Sequence, residues 1–470
     1  MNPVALIFFL LCATALLTVP RRWAVAALLV GCTYITLGQG IEIVSLNLPI
    51  YRLMLLVGFI RVISKGEKLV GGFNAIDKMM VTFGCWAIFA SIFHDQERYG
   101  IVFVCGLVFN LMMIYFLIRI WCADLDEIRG VIAVIALLLV PIAIEMLMEK
   151  ASGKNLFSVF GGIPQDVMVR QGKLRAQGPF LHAILAGTVG ATCIPLFIGL
   201  IPITKYRTLA IIGIAAGVVM TFASASSGPV MSLIFGCGAM CMWRFKKHLR
   251  NIRIVVLIIY VALIFLMTKP PYYLISRIDI SGGSTGWHRS FLIEQTFKHI
   301  SEWWLFGTDV TRHWMPMQGI GSDPLHTDIT NYYISFGVQA GLAAMLLLIA
   351  VIITAFSWVG KIIDVWLETH PERSFMAWSY GACLFAHAAT SISVSYFDQS
   401  MVFFWLPIAV ISANYTITRF GLPEELIAEF NDLTLAENLS ELPALSDAER
   451  CRRLRAKVEL ESRHLVKEVN

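Results

Sequence analysis

"LHTDITNYYISFGVQAGLAAMLLL", residues 325–348, decides how this chain is read. It begins polar, with His326, Thr327 and Asp328, and runs directly into an apolar stretch that continues to residue 358. An apolar run of about 20 residues is what an α-helix needs to cross the hydrocarbon core of a bilayer. The polar head of this run would sit at the mouth of such a span. An ionisable cluster there is either a solvated helix start or part of a reaction centre.

The rest of the chain repeats the apolar theme. Of 470 residues, 57% are hydrophobic and only 15% charged, and the mean hydropathy is +0.72. A soluble domain carries about a quarter charged residues. Apolar runs lie near 4–19, 23–39, 49–64, 76–93, 100–121, 128–148, 178–202, 208–224, 228–243, 253–268, 329–358, 376–392 and 401–418. The expected fold is therefore an all-α polytopic membrane protein with about 12–13 transmembrane helices. The N-terminal stretch lacks a basic leader region and a small-residue cleavage site, so it reads as a first span rather than a removed signal.

The net charge of +5 implies no nucleic-acid partner, because the cations cluster at the ends of spans, where they set topology. The loop around Arg244, Lys246, Lys247, Arg250 and Arg253 carries no acid and marks the cytoplasmic side. Counting outward, Arg21–Arg22, Arg61/Lys65/Lys68, Lys205/Arg207 and Lys361/Arg373 fall on that side too. The loops 149–177 and 269–328 then lie outside, with the N-terminus outside and the C-terminus inside. Residues 1–418 are expected to form one transmembrane domain, and 419–470 a charged cytoplasmic helical tail that starts with Ser446 and Glu449 at capping-box spacing.

Eight of the ten cysteines fall inside apolar runs, as small core residues do. No CxxC or HExxH arrangement occurs, so no metal or other cofactor is expected. In loop 149–177, Arg170, Lys173 and Arg175 precede the seventh span on the side that should be poor in cations, with His182 expected one turn inside and Gly178–Pro179 starting the helix. Topology does not explain cations on this face. Lipid headgroups would attract them, and so would a phosphate site, since arginine offers a planar fork that matches phosphate oxygens.

The second loop, 269–328, holds His288, His299, His313 and His326. Phe291, Leu292, Ile293, Phe297, Ile300 and Trp304 approximate an apolar stripe, which predicts an amphipathic helix on the outer bilayer surface. Arg289 would stand at its start and face the bundle, and Trp303–Trp304 would stand at its end. His299 reads as solvated, His313 as a loop residue and His288 as a packing residue beside Arg289. His326 is the choice for a general base near neutral pH, with Asp328 close enough to orient it.

The combination resembles the bacterial O-antigen polymerase and O-antigen ligase family. The resemblance rests on Arg175 in "RAQGPFLHAILAG", on Arg289 opening the loop helix, on "EWWLFGTDV" ending it, and on His326 in "LHTDITNYYISFGVQAGLAAMLLL". It covers roughly residues 170 to 350; "RRWAVAALLVGCTYITLGQG" and "YRLMLLVGFIRVI" are also similar, though less diagnostic. Two positions depart from the family pattern. His288 stands where a glycine often precedes the helix-opening arginine, and Ser227 stands where an arginine often follows the serine between the eighth and ninth spans.

The resemblance implies a GT-C-like architecture and metal-independent transfer of a glycan from an undecaprenyl-diphosphate carrier to an acceptor on the periplasmic face of the inner membrane. By that resemblance Arg175 and Arg289 would stabilise the departing diphosphate and His326 would take the acceptor's proton. Arg170, Lys173 and His182 would help bind the diphosphate. The acceptor would be another glycan, as in a polymerase of O-antigen or exopolysaccharide, or lipid A-core or a protein, as in a ligase. A transporter of lipid-linked glycans is the alternative from another class. It predicts ionisable groups at mid-span, where Glu145 and His387 are the main examples in the sequence.

Overall fold

The computed structural model of the protein describes residues 2–43, 46–94, 100–277, 286–315 and 325–420. The expected tail lies outside the described residues beyond Phe420. Each of the thirteen apolar runs forms a helix. In chain order they begin with α1 (Pro3–Thr18) and α2 (Arg21–Tyr34), then a hairpin of β1 (Gly40–Ile43) and β2 (Leu46–Pro49). Next come α3 (Ile50–Lys65), α4 (Ala75–Ala90), α5 (Ile101–Trp121) and α6 (Leu125–Ser152). A second hairpin, β3 (Met168–Arg170) and β4 (Lys173–Arg175), precedes α7 (Ala183–Leu200), α8 (Arg207–Ala223), α9 (Ser227–Cys241) and α10 (Leu249–Leu266). The large loop carries α11 (Gly286–Lys298) and α12 (Ile300–Trp303), and the chain closes with α13 (Tyr332–Trp366), α14 (Pro371–Thr390) and α15 (Ser400–Phe420).

Polar residues set the boundaries. Asn74 and Asp77 form a reciprocal capping box at the start of α4. Asp124 caps α6, which ends at Gly153 with φ 71°, and Asn331 caps α13. Among the described residues, eight helices are long and apolar enough to cross a membrane: α4 to α9, α13 and α15, some with a flanking turn. The expectation of twelve or thirteen full spans is thereby narrowed. Helices α1 to α3 have 16, 14 and 16 residues, short of the ~20 that a straight crossing needs. Helix α10 reaches the criterion only together with the 3₁₀ turn Pro271–Arg277, across an 87° bend.

Helices α7 and α15 form the centre, with 89% and 94% of their apolar windows buried. They are apolar on every side because protein surrounds them. Helix α10 is the opposite case, exposed along nearly its whole length, which is how an apolar helix meets lipid.

The polar connections gather at one end of the bundle, where α6, α8 and α14 finish and α7, α9, α13 and α15 start. Backbone and side-chain bonds tie them together there. Ala176 N donates to Ala223 O, Tyr332 N to Ser391 O, and Gln399 Nε2 to Pro179 O at 2.7 Å. The opposite end carries a buried polar knot. Asp77, near the start of α4, accepts from Tyr115 Oη at 2.6 Å and faces Arg119 Nε at 4.0 Å. Arg119, near the end of α5, also donates to Thr416 Oγ1 at 2.8 Å.

Helix α13 is broken at Ala340 (φ −152°, ψ 23°) and Gly341 (φ 79°, ψ 175°). The groups freed by the break find partners in the large loop and on α4. Leu342 N donates to Trp304 O, Thr308 N to Val338 O, and Trp86 Nε1 to Ala340 O at 2.8 Å. A break inside an apolar helix persists only where such partners replace the lost bonds. A Cβ at Gly341 would stand 2.0 Å from Leu305 O, so only glycine fits there.

The loop helix differs from its expected form. The apolar stripe read from the sequence splits: Leu292, Ile293 and Trp303 are buried, whereas Phe297, Ile300 and Trp304 are exposed. The helix itself ends at Lys298 and restarts at Ile300. Its buried residues join Trp314, Met315, Ile334 and Val338 in a small core of their own.

Candidate active site

The cations of the first loop stand on a β-hairpin, not on an irregular loop as the sequence suggested. Its two-residue turn, Gln171–Gly172, has positive φ at both positions (50° and 72°), the geometry that matches the twist of paired strands. Arg170 lies opposite Lys173, and Met168 opposite Arg175. Side chains at directly opposed and alternate positions share a face of a hairpin. Arg170, Lys173 and Arg175 therefore line one face, with Met168 beside them. Like charges directly opposite one another destabilise a strand pair, so this face is built at a cost.

Arg175 is 3% exposed. Its Nη2 donates to Ser226 Oγ at 2.6 Å, and Ser226 Oγ in turn donates to Ser224 O at 2.9 Å. The turn between α8 and α9 thus locks the guanidinium. Burial, and then the charge of Arg170, pull the Arg175 guanidinium below its ordinary value. Arg289, at the start of α11, is pulled the same way by burial and by Arg170, partly offset by Asp328. Arg170 therefore acts on cations from both loops, which brings residues 119 positions apart into one field. The Nε groups of Arg175 and Arg289 are both buried and have no hydrogen-bond partner among the described residues.

Residues 175–180 are buried but not helical. The sequence reading had Gly178–Pro179 starting the seventh helix and His182 one turn inside. Instead α7 starts at Ala183 and His182 is its N-cap, its Nδ1 accepting from Ile184 N at 3.2 Å. Gly178 has φ 55°, and the turn is held from outside. The Glu149 carboxyl accepts from Gln177 N at 3.0 Å and from Gly178 N at 2.9 Å. Asp398 Oδ2 accepts from Leu181 N at 2.9 Å, and Asn155 Nδ2 donates to Gly178 O at 2.8 Å. His182 is pushed down to about 4 by burial, then by the charges of Arg175 and Arg170. It is neutral at pH 7 and is part of the same cationic field.

His326 is 5% exposed and lies in the extended segment before α13. The segment is fixed from two sides. Thr327 N donates to Thr311 Oγ1 at 3.0 Å, and Ser395 Oγ donates to Ile329 O at 2.7 Å. Asp328 acts on Arg289 and on His288, which burial pulls down and Asp328 pushes up. Two extended residues span at most ~7 Å between Cα atoms, so His326 belongs to the same neighbourhood as Asp328 and Arg289. The carboxylate expected to orient His326 thus also acts electrostatically on the arginine of α11.

Sequence reasoning missed several residues that build this site. Glu149 and Asp398 carry the turn before α7, and Ser226 holds Arg175. Only Glu149 left a signal, four residues after Glu145, which puts both on one helix face. It also missed His299 and His313 as a pair, since both meet Glu302. No protein-family model matches this chain, and no curated protein is significantly similar to it.

Proposed function

We propose that the protein is a glycan transferase of the O-antigen polymerase type. In this reading it acts at the periplasmic face of the bacterial inner membrane on glycans carried by undecaprenyl diphosphate. The observation that carries the proposal is the cationic face of the β3–β4 hairpin, joined by Arg289 from the other loop. The cations gathered on this face, with the buried Nε groups of Arg175 and Arg289, favour a ligand with two or more negative charges, as a diphosphate has. The apolar surround suits its lipid tail.

The chemistry follows from the residue types. The acceptor hydroxyl oxygen attacks the anomeric carbon while His326 takes its proton. The bond from that carbon to the diphosphate oxygen breaks, and its electron pair stays on the leaving diphosphate. Arg175, Arg289 and Arg170 hold that charge, with Lys173 at the rim, because donors placed beforehand stabilise charge as it develops. Asp328 partly balances the charge of Arg289. A single displacement of this kind inverts the anomeric centre. No step requires a metal or another cofactor.

A transporter would place unpaired ionisable groups along a mid-span path. Here Glu145 lies near the end of α6 and accepts from Leu156 N at 2.9 Å, His387 Nδ1 lies 2.8 Å from Tyr396 Oη near the end of α14, and the buried Asp77–Arg119 and Arg61–Glu67 pairs are matched partners. The test is incubation of the purified protein with undecaprenyl-diphosphate oligosaccharide and, separately, with lipid A-core added. A ladder of longer carrier-linked glycans supports the polymerase, and one product on lipid A-core moves the assignment to ligase. No transfer, together with glycan movement across liposomes, overturns the proposal in favour of transport.

A further inference from the structure

His299, Glu302 and His313 form a compact cluster on the large loop. His299 precedes α12, Glu302 lies one turn on, and His313 comes from the 3₁₀ turn Arg312–Trp314. His299 Nδ1 is 2.6 Å from Glu302 Oε1, and His313 Nε2 is 2.9 Å from Glu302 Oε2. One nitrogen or oxygen from each side chain lies within 4.8 Å of the other two. Ligands bound tetrahedrally at ~2.0–2.1 Å from zinc stand about 3.4 Å apart. Shifts of roughly an ångström in exposed side chains would bring the three to that spacing.

The surroundings hold this arrangement. Trp314 Nε1 donates to Glu302 Oε2 at 2.9 Å, the kind of outer partner that orients a metal-binding carboxylate. The Trp314 ring stacks on His299 with an interplanar angle of 16°. Trp303 and Trp314 are both buried, and Trp303 Nε1 is tied to Thr296 O at 2.9 Å. The three ligand side chains thus project from a rigid platform and remain in reach of solvent, with 29%, 35% and 46% of their side chains exposed.

We propose that His299, Glu302 and His313 bind a divalent transition-metal ion, with zinc the best match to two imidazoles and one carboxylate, leaving a fourth position for water. Two neutral imidazoles and a carboxylate suit zinc in charge and donor type. Magnesium and calcium are excluded because they take oxygen ligands. On binding, His299 carries its proton on Nε2 and His313 on Nδ1, which frees His299 Nδ1 and His313 Nε2 as neutral ligand atoms, so the metal replaces two hydrogen bonds with three coordinate bonds. The ion would staple α12 to the 311–315 segment, which also holds Thr327 through Thr311 Oγ1. The proposal does not rest on the transfer chemistry.

The test uses full-length protein without a histidine tag, stripped with EDTA in detergent and titrated with zinc against a chromophoric chelator. One tight zinc per chain is expected. His313→Ala should weaken it at least 100-fold, and Glu302→Gln, which keeps the Trp314 bond, should weaken it at least 10-fold. Thermal melts and size-exclusion profiles of the metal-free proteins check that the variants stay folded. Zinc absorption spectra should show imidazole scattering with nitrogen and oxygen at ~2.0–2.1 Å. Wild type binding zinc no better than both variants, or a sulfur shell around the zinc, overturns the proposal.

Discussion

Glu149→Ala removes the acceptor that holds the buried turn carrying Arg175. Glu149 is fully buried, and its carboxyl accepts from Gln177 N, Gly178 N and Asn155 Nδ2. Asn155 keeps Gly178 O as a second partner, so its amide survives the loss. The two backbone N–H groups do not. Each buried donor left unsatisfied costs ~1–3 kcal/mol, so the alanine variant should lose about 2–6 kcal/mol. Glu149→Gln keeps the shape but turns one oxygen into an amide nitrogen that faces a donor. It should lose about half as much, ~1–3 kcal/mol. Thermal unfolding in detergent, followed by intrinsic fluorescence and by size exclusion after heating, should rank wild type above glutamine and glutamine above alanine. An alanine variant that melts within a degree of wild type would show that the turn is held by something else.

Other consequences are equally direct. Because the folded state holds His182 at about 4, below its ordinary 6.5, the unfolded chain takes up that proton first as pH falls. Its contribution is therefore present above pH 6.5 and lost between about 6.5 and 4. The melting advantage of wild type over His182→Gln should shrink through that window, and a constant difference would contradict the assignment. Gly341→Ala forces a Cβ to 2.0 Å from Leu305 O at a backbone angle of 79°, where strain alone costs ~1–3 kcal/mol. Gly360→Ala in the same helix meets nothing within 4 Å and should be neutral or stabilising by up to ~1 kcal/mol. Equal melting points for the two would refute the break in α13.

The helices were legible because each apolar run is long and bounded by polar or glycine residues. What the sequence did not disclose depends on contacts between distant segments. The Met168–Arg175 hairpin had only its Gln171–Gly172 turn and a short alternation as signals, in a stretch that reads as loop. Gly178–Pro179 looks like a helix start, but bonds to Glu149 and Asp398 hold the turn non-helical and delay α7 to Ala183. The stripe on the loop helix failed because Trp303 and Trp314 draw one edge of it into a separate small core. The break at 340–341 depends on Trp86 and Trp304 supplying partners from distant segments. His299 and His313 looked unremarkable one at a time, and only folding brings both to Glu302.

Glycan transfer by purified protein in the presence of EDTA, comparing wild type with His326→Ala, tests the central claim most directly. Loss of a general base typically costs ~10²–10⁴-fold in rate. Wild type should build a product ladder with the chelator present, and the variant should show a loss of that size. Transfer at the wild-type rate by His326→Ala, or no transfer to any acceptor by wild type, would contradict it.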